Sequence, residues 1–212
     1  MKTSTLTAGE KPATTQHQLL DVIQNRWSPR AFDNRPIPRE VQQRLFEAAR
    51  WAASSMNTQP WRFIIATQDN PEQFQTMLGL LKESNQEWAQ NAGMLIIAVA
   101  KKQHDSGSDN KYAWHDTGMA LAQLTLQATT EDLYIHMMGG YYPEKAIDVY
   151  NIPDDYEPVV ALAVGYYGDP EDLSEKYRQR EVSERSRKPM SELLFEGTWA
   201  NIADIAEDKT II

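Results

Sequence analysis

Apolar strand-like stretches alternating with helical patterns predict a layered α/β or α+β domain built around one sheet. Two observations carry that expectation. Residues 94–100 (Met-Leu-Ile-Ile-Ala-Val-Ala) are apolar at every position, as a central strand covered on both faces requires. Residues 40–54 set Val41, Leu45, Ala48, Ala49 and Ala52 at 3.6-residue spacing behind Pro38, the pattern of an amphipathic helix. The length, 212 residues, suits one domain with short appendages.

The remaining elements follow in order. Residues 1–16 are Thr-rich, with Gly9 and Pro12 and no apolar period, and are expected to form a disordered leader without a signal peptide. Leu19, Leu20, Val22 and Ile23 begin a short helix towards Arg26. Trp61–Thr67 reads as a strand and residues 71–83 as a helix. Residues 112–130, with Ala113, Met119, Ala120, Leu124 and Ala128, predict a long buried helix. Pro143–Tyr150 predicts a short helix, and residues 159–167 a second central strand. Residues 174–212 are charged and lack a strong period, yet are too long for an idle tail. Their end, 190–212, is expected to pack on a partner subunit.

Composition excludes several chemistries. With 21 Lys+Arg against 30 Asp+Glu the net charge is −9, which disfavours nucleic acid and anionic lipid as partners. The absence of cysteine removes disulfides, thiolate nucleophiles, Cys-zinc sites and iron–sulfur clusters. No apolar run approaches the ~20 residues needed to span a bilayer, and a cytoplasmic protein is expected. No glycine-rich dinucleotide fingerprint or P-loop is present. His17, His104, His115 and His136 show no paired metal spacing, so no metal is assigned. His115-Asp116 reads as a helix start, with no serine elbow or third partner to make a catalytic set.

Three segments carry chemistry. Arg26-Trp27-Ser28-Pro29-Arg30 places two guanidinium groups and a hydroxyl within five residues, and Arg185-Ser186-Arg187-Lys188 repeats the concentration of positive charge far along the chain. In an acidic protein, two such clusters suit a bound anion, most simply a phosphate held bidentately. Ala53 to Trp61 (Ala-Ser-Ser-Met-Asn-Thr-Gln-Pro-Trp) packs hydroxyls and amides that both donate and accept. The same stretch also reads as a plain helix stop. His136-Met137-Met138-Gly139-Gly140-Tyr141-Tyr142 reads either as a flexible turn or as a glycine loop that lets backbone N–H groups approach a planar ligand.

Together and in this order, these segments resemble the nitroreductase family of FMN-dependent oxidoreductases, over residues 19–190. Arg26-x-Ser28-x-Arg30 and Ser54-Ser55-x-Asn57-x-Gln59-Pro60-Trp61 are the main carriers. Weaker echoes are Asn85 with Trp88, Asp116-x-Gly118, Gly139-Gly140 and Arg185-x-Arg187-x-Pro189. The resemblance implies an α+β fold with a central mixed sheet flanked by helices, in an interlocked homodimer with two FMN sites at its interface. It places Arg26, Ser28, Arg185 and Arg187 on the FMN phosphate and Arg30 near N1 and O2 of the flavin. Ser54, Ser55 and Asn57 would come from the other subunit, with Gln59 near the ring. Asn85 would reach the ribityl chain or pyrimidine edge, and Gly139 and Gly140 would offer an N–H to flavin N5. Trp27 and Ala53 complete the flavin-binding segments.

The implied activity is ping-pong hydride transfer from NAD(P)H through FMN to a nitroaromatic, quinone or related acceptor, with the chemistry carried by the cofactor rather than by a protein acid–base pair. Two alternatives share the fold: a non-catalytic FMN-binding or sensing protein, and a reductive dehalogenase or flavin-fragmenting relative. The sequence departs from the family pattern at Ala53, where Pro is usual, at Thr130-Glu131-Asp132-Leu133, and at Met138-Gly139-Gly140-Tyr141. These changes surround the substrate face.

Overall fold

The computed structural model describes residues 11–206. Its elements are α1 (Asp21–Asn25), β1 (Phe32–Asp33), α2 (Arg39–Arg50), β2 (Trp61–Thr67), α3 (Pro71–Leu78), α4 (Glu83–Ala89), β3 (Met94–Lys101), α5 (Ala113–Thr130), β4 (Leu133–Met138), α6 (Pro143–Tyr150), β5 (Tyr156–Tyr167) and α7 (Glu175–Val182). Short 3-10 turns lie at Ser55–Asn57, Pro170–Asp172, Met190–Glu192 and Asp204–Ala206.

The 12-residue β5 organises the sheet. β3 and β4 both pair with Ala161 to Val164, so they occupy opposite edges of β5. β1 and β4 both pair with Tyr166, which puts β1 on the β3 side, beyond the end of β3. β2 then adds to β3 in the register Trp61↔Ala100 to Thr67↔Met94. All four pairings are antiparallel, which corrects the expected mixed sheet. The reason is topological. β3, α5 and β4 form a crossover whose two strands run the same way, but β5 arrives later in the chain and inserts between them.

Alternation in β3 explains its fully apolar sequence. Leu95, Ile97 and Val99 face a core shared with Phe74, Met77, Trp88, Ala146 and Tyr177 from α3, α4, α6 and α7. Met94, Ile96 and Ala98 face a second core with Leu45 and Ala49 of α2 and Leu121, Leu124 and Ala128 of α5. Side chains of successive strand residues point to opposite faces, so a strand between two helical layers has no solvent face to make polar.

Several expectations shift at their edges. The helix foreseen over 71–83 is two helices, because the chain breaks at Gly79 and Leu81 bridges to Tyr141. The helix foreseen over 40–54 ends at Arg50. α5 is buried on one face only, with Trp114 and Met119 exposed. The segment read as a turn from His136 is the end of β4. Of the expected leader, residues 1–10 lie outside the described residues. Its later part is anchored, since Ala13 N–H donates to Gln24 O at 2.8 Å and Lys11 Nζ donates to Glu181 O at 2.6 Å.

Candidate functional site

The two arginine clusters meet. Arg26, Trp27, Ser28 and Arg30, from the loop between α1 and β1, line one cleft of about 350 Å³ with Arg185 and Arg187 from the chain after α7. Lys11 and Arg180 bring the basic side chains to six, against two carboxylates, Glu181 and Glu184. Burial and mutual repulsion lower the proton affinity of Arg26 and Arg185: Arg187 acts on both, and Arg26 on Arg185. Among the described residues no carboxylate lies within salt-bridge distance of Arg26, Arg185 or Arg187. Like charges held together without a counterion favour a multiply charged oxyanion between them. A larger groove of about 1030 Å³ runs between α2 and β2, lined by Arg39, Phe46, Arg50 and Ile65, but none of the predicted site residues reaches it.

The arginines are not equivalent. Arg185 donates to three carbonyls, those of Lys11 (2.6 Å), Gln24 (2.9 Å) and Arg26 (2.8 Å), so most of its fork is spent fastening the chain after α7 onto the α1 loop. Among the described residues Arg26 Nη1 reaches only Ser28 Oγ, at 3.4 Å, and Arg187 Nη1 only the neighbouring Ser186 carbonyl. Trp27 is buried beneath the cleft against Tyr134 and Tyr167, with Lys11 Nζ 5.0 Å from its ring centroid.

Arg30 leads from the cleft to the glycine loop. Its guanidinium carbon lies 5.9 Å from the Trp88 ring and 5.7 Å from Tyr177. Trp88 is fully buried, stacks on Phe32 and meets His136 at 4.6 Å. Its Nε1 has no acceptor among the described residues. His136 donates its Nδ1–H to Pro29 O at 2.8 Å; burial, with the Arg30 charge, pushes its pKa down to about 4, so the ring is neutral at physiological pH. Beyond β4, the Gly140 carbonyl accepts from Lys82 N–H and from Asn85 Nδ2, both at 2.9 Å. A Cβ at Gly140 would stand 2.7 Å from Asn85 Nδ2, whereas one at Gly139 would meet nothing. A side chain at Gly140 would displace the Asn85 amide from its bond to the Gly140 carbonyl, and Gly139 leaves its backbone open on one side.

The serine-rich segment stands apart from the arginine cleft. Ala53 is exposed after α2. Ser54 Oγ accepts from Gln59 N–H at 3.0 Å, and Gln59 Nε2 donates to the carbonyl and Oδ1 of Asn57. Ser55 N–H donates to Asp116 Oδ2, and His115 Nδ1–H donates to Asp116 Oδ1, both at 2.9 Å. Asp116, 2% exposed, thus pins this loop to the start of α5. Met56, Asn57 and Gln59 all adopt the left-handed region, and Met56 is 87% exposed. Such a density of unfavourable backbone is held only where the surroundings enforce it.

Three participants escaped sequence reading. Glu181 is 2% exposed, and its carboxylate accepts from Arg30 N–H (2.9 and 3.0 Å) and Ala31 N–H (3.0 Å). Desolvation raises its pKa, opposed by those two hydrogen bonds and by Arg30 and Lys11. Trp88 entered only as an echo, and His136 only as part of a glycine segment. Glu181 sits on a strongly polar helix whose apolar period is weak, so nothing in the sequence marked it as buried.

Comparison with known proteins shows the family of the chain. Residues 23–166 match the family model described as "Nitroreductase family". A 15.4 kDa protein from the ask 5′ region of Mycolicibacterium smegmatis is 35% identical over 133 residues, 61% of this chain and 86% of its own. A Bacillus subtilis (strain 168) protein with the provisional name NAD(P)H nitroreductase YfhC is 23% identical over 187 residues, 80% of this chain and 94% of its own. Among solved structures, one titled as an oxidoreductase containing FMN superposes with a TM-score of 0.83 at 32% identity, over 89% of this chain and 96% of that one.

Proposed function

Because the chain belongs to the nitroreductase family, we propose that it is an FMN-dependent oxidoreductase that takes hydride from NAD(P)H and delivers it to a small acceptor such as a nitroaromatic or a quinone. The observation that carries the reading is the cleft in which arginines from opposite ends of the chain converge in excess of the two carboxylates beside them, with no salt bridge to Arg26, Arg185 or Arg187 among the described residues. The FMN-containing structure and the NAD(P)H nitroreductase named above support the cofactor and the donor.

FMN, when bound, supplies the hydride chemistry, with donor and acceptor using the same place in turn. The residues fit such a group. Arg26, Arg187 and Ser28 offer free donors for its phosphate, and Arg185 braces the wall from which Arg187 reaches. Arg30, with its charge half-buried over Trp88 and Tyr177, supplies fixed positive charge where negative charge develops on reduction. The open backbone at Gly139 lets a flat ring approach, and the buried Trp88 ring underlies the Arg30 guanidinium. The loop carrying Ser54, Ser55, Asn57 and Gln59 meets the flavin from a second copy of the chain, which accounts for its distance from the cleft within one protomer.

Purified protein tests this directly. It should be yellow, bleach with NADH or NADPH under anaerobic conditions, and recolour with menadione or nitrofurazone. A yellow protein that neither donor bleaches would be a flavin carrier rather than a reductase, and a colourless one that takes up no FMN would end the flavin reading.

A further inference from the structure

Glu181 occupies an unusual place: a buried carboxylate within a cluster of cations that it does not neutralise. Both its oxygens are directed at backbone, the N–H groups of Arg30 and Ala31, across 151 and 150 residues of sequence. The Arg30 guanidinium, by contrast, has no carboxylate within salt-bridge distance among the described residues. The acid grips the base of this side chain and leaves its charge free. One helical turn earlier, Tyr177 flanks the Arg30 guanidinium and donates its hydroxyl to Ser84 O at 2.6 Å, fastening α7 to α4. Arg30 is thus fixed at the backbone by one residue of α7 and along the side chain by another.

We propose that Glu181 is a positioning residue for the flavin, aiming the Arg30 guanidinium by fixing the Arg30 and Ala31 amides; the proposal rests on the FMN reading above. A role in the scaffold alone fits poorly. Burying an ionised carboxylate costs stability, and the raised pKa has the matching sign: the folded protein binds the proton more tightly, so Glu181 opposes folding increasingly as pH rises above the usual carboxyl range. Its ionised form is kept at a cost to the fold. The charged and titratable groups around it are Lys11 from the N-terminal segment, Arg30 from the loop before β1, Tyr167 from β5, and Tyr177 and Arg180 from α7 itself.

The experiment compares wild type with Glu181→Gln, each as the full chain. Both carboxylate oxygens accept from Arg30 N–H and Oε1 also from Ala31 N–H, so glutamine keeps the volume and one accepting oxygen but turns an NH2 towards the Arg30 N–H and loosens the grip on that amide. The apo variant should melt no lower than wild type at pH 7.5. Its Kd for FMN should rise about tenfold, and the reduced form should be discriminated against by a further factor of about ten, a midpoint potential roughly 30 mV more negative for a two-electron couple. Riboflavin, titrated from pH 5 to 8, removes the phosphate's own protonation: the gap between wild type and variant should narrow as pH falls, the direction set by the raised proton affinity of Glu181. In an Arg30→Gln background the Glu181→Gln effect on potential should vanish. Unchanged Kd and potential, additive effects with Arg30→Gln, or a variant that melts well below wild type would each overturn the proposal. Wild type that fails to bind FMN would instead defeat the flavin reading.

Discussion

Arg187→Ala removes a guanidinium that is exposed and whose only hydrogen bond among the described residues is to the adjacent Ser186 carbonyl. The fold should be unaffected, while FMN affinity falls by about 1.5 kcal/mol, the lower end for a hydrogen bond to a charged group and roughly tenfold in Kd. Fluorescence titration of the apo-protein checks this, and stoichiometric flavin at micromolar concentration would refute the phosphate role. His136 gives a pH prediction. Its folded pKa of about 4 lies below the ordinary 6.5, so the unfolded chain binds more protons between those values. Stability should therefore be fully present above pH 6.5 and fall as pH drops towards 4, by about 2–3 kcal/mol. Urea unfolding at stepped pH should show a shallower acid loss in His136→Gln. What could be read at this scale from sequence was residue type: Arg26, Ser28, Arg185 and Arg187 stood out as candidate phosphate ligands and Arg30 as a candidate neighbour of the flavin ring. What could not be read was which arginine is free. Arg185 and Arg187 are two positions apart and chemically identical, and only the carbonyls presented by Lys11, Gln24 and Arg26 separate brace from ligand.

At the scale of elements, the chain after α7 acts as a strap across the α1 loop, and Arg185 is its fastening. Arg185→Ala leaves three carbonyls without their donor and should cost about 1.5–3 kcal/mol, a fall in melting temperature of roughly 4–10 °C for a chain of this size. Flavin affinity should fall with it. Arg185→Lys should not rescue, because a single ammonium lacks the planar fork that spans carbonyls on separate strands of chain. A melt unchanged in both variants would show that the strap is held elsewhere. Strong periodicity made β2, β3 and α6 legible almost to the residue and α2 legible at its start. β4 was missed because its second half, His136 to Met138, runs into two glycines whose turn signal dominated. The break between α3 and α4 was missed because Leu80 and Leu81 continue the apolar pattern across it, although both are buried by tertiary contacts rather than by one helix face. The expectation of a mixed sheet failed for a different reason. Alternating helices and strands report chain order, and strand order depends on where the last strand inserts.

For the whole molecule, the segments that resemble a flavin site fall into two groups that one chain does not bring together. Homodimerisation is our proposal for joining them. Tyr112, Trp114 and Met119 expose apolar surface around the first half of α5, next to the loop pinned by Asp116. Near the C-terminal end of the described chain, Phe195 bridges to Ile202 and packs on Trp199, whose ring is 88% exposed. The expectation that 190–212 packs on a partner subunit belongs to the same proposal; residues 207–212 lie outside the described residues. Light scattering should give twice the 24.2 kDa chain mass, and Asn57→Ala should lower flavin occupancy without changing the circular dichroism spectrum. A monomer carrying full flavin would refute the shared site.

The late position of β5 has a consequence for biosynthesis. Until residue 167 has left the ribosome, the strands on either side have nothing to pair across, and both cores lack their shared wall. The arginine loop near the start of the chain then waits for Glu181 and Arg185, the final contributors, before its amides and carbonyls find partners. A nascent polypeptide halted anywhere short of that point would expose apolar strands to chaperones and leave the arginine cleft unformed.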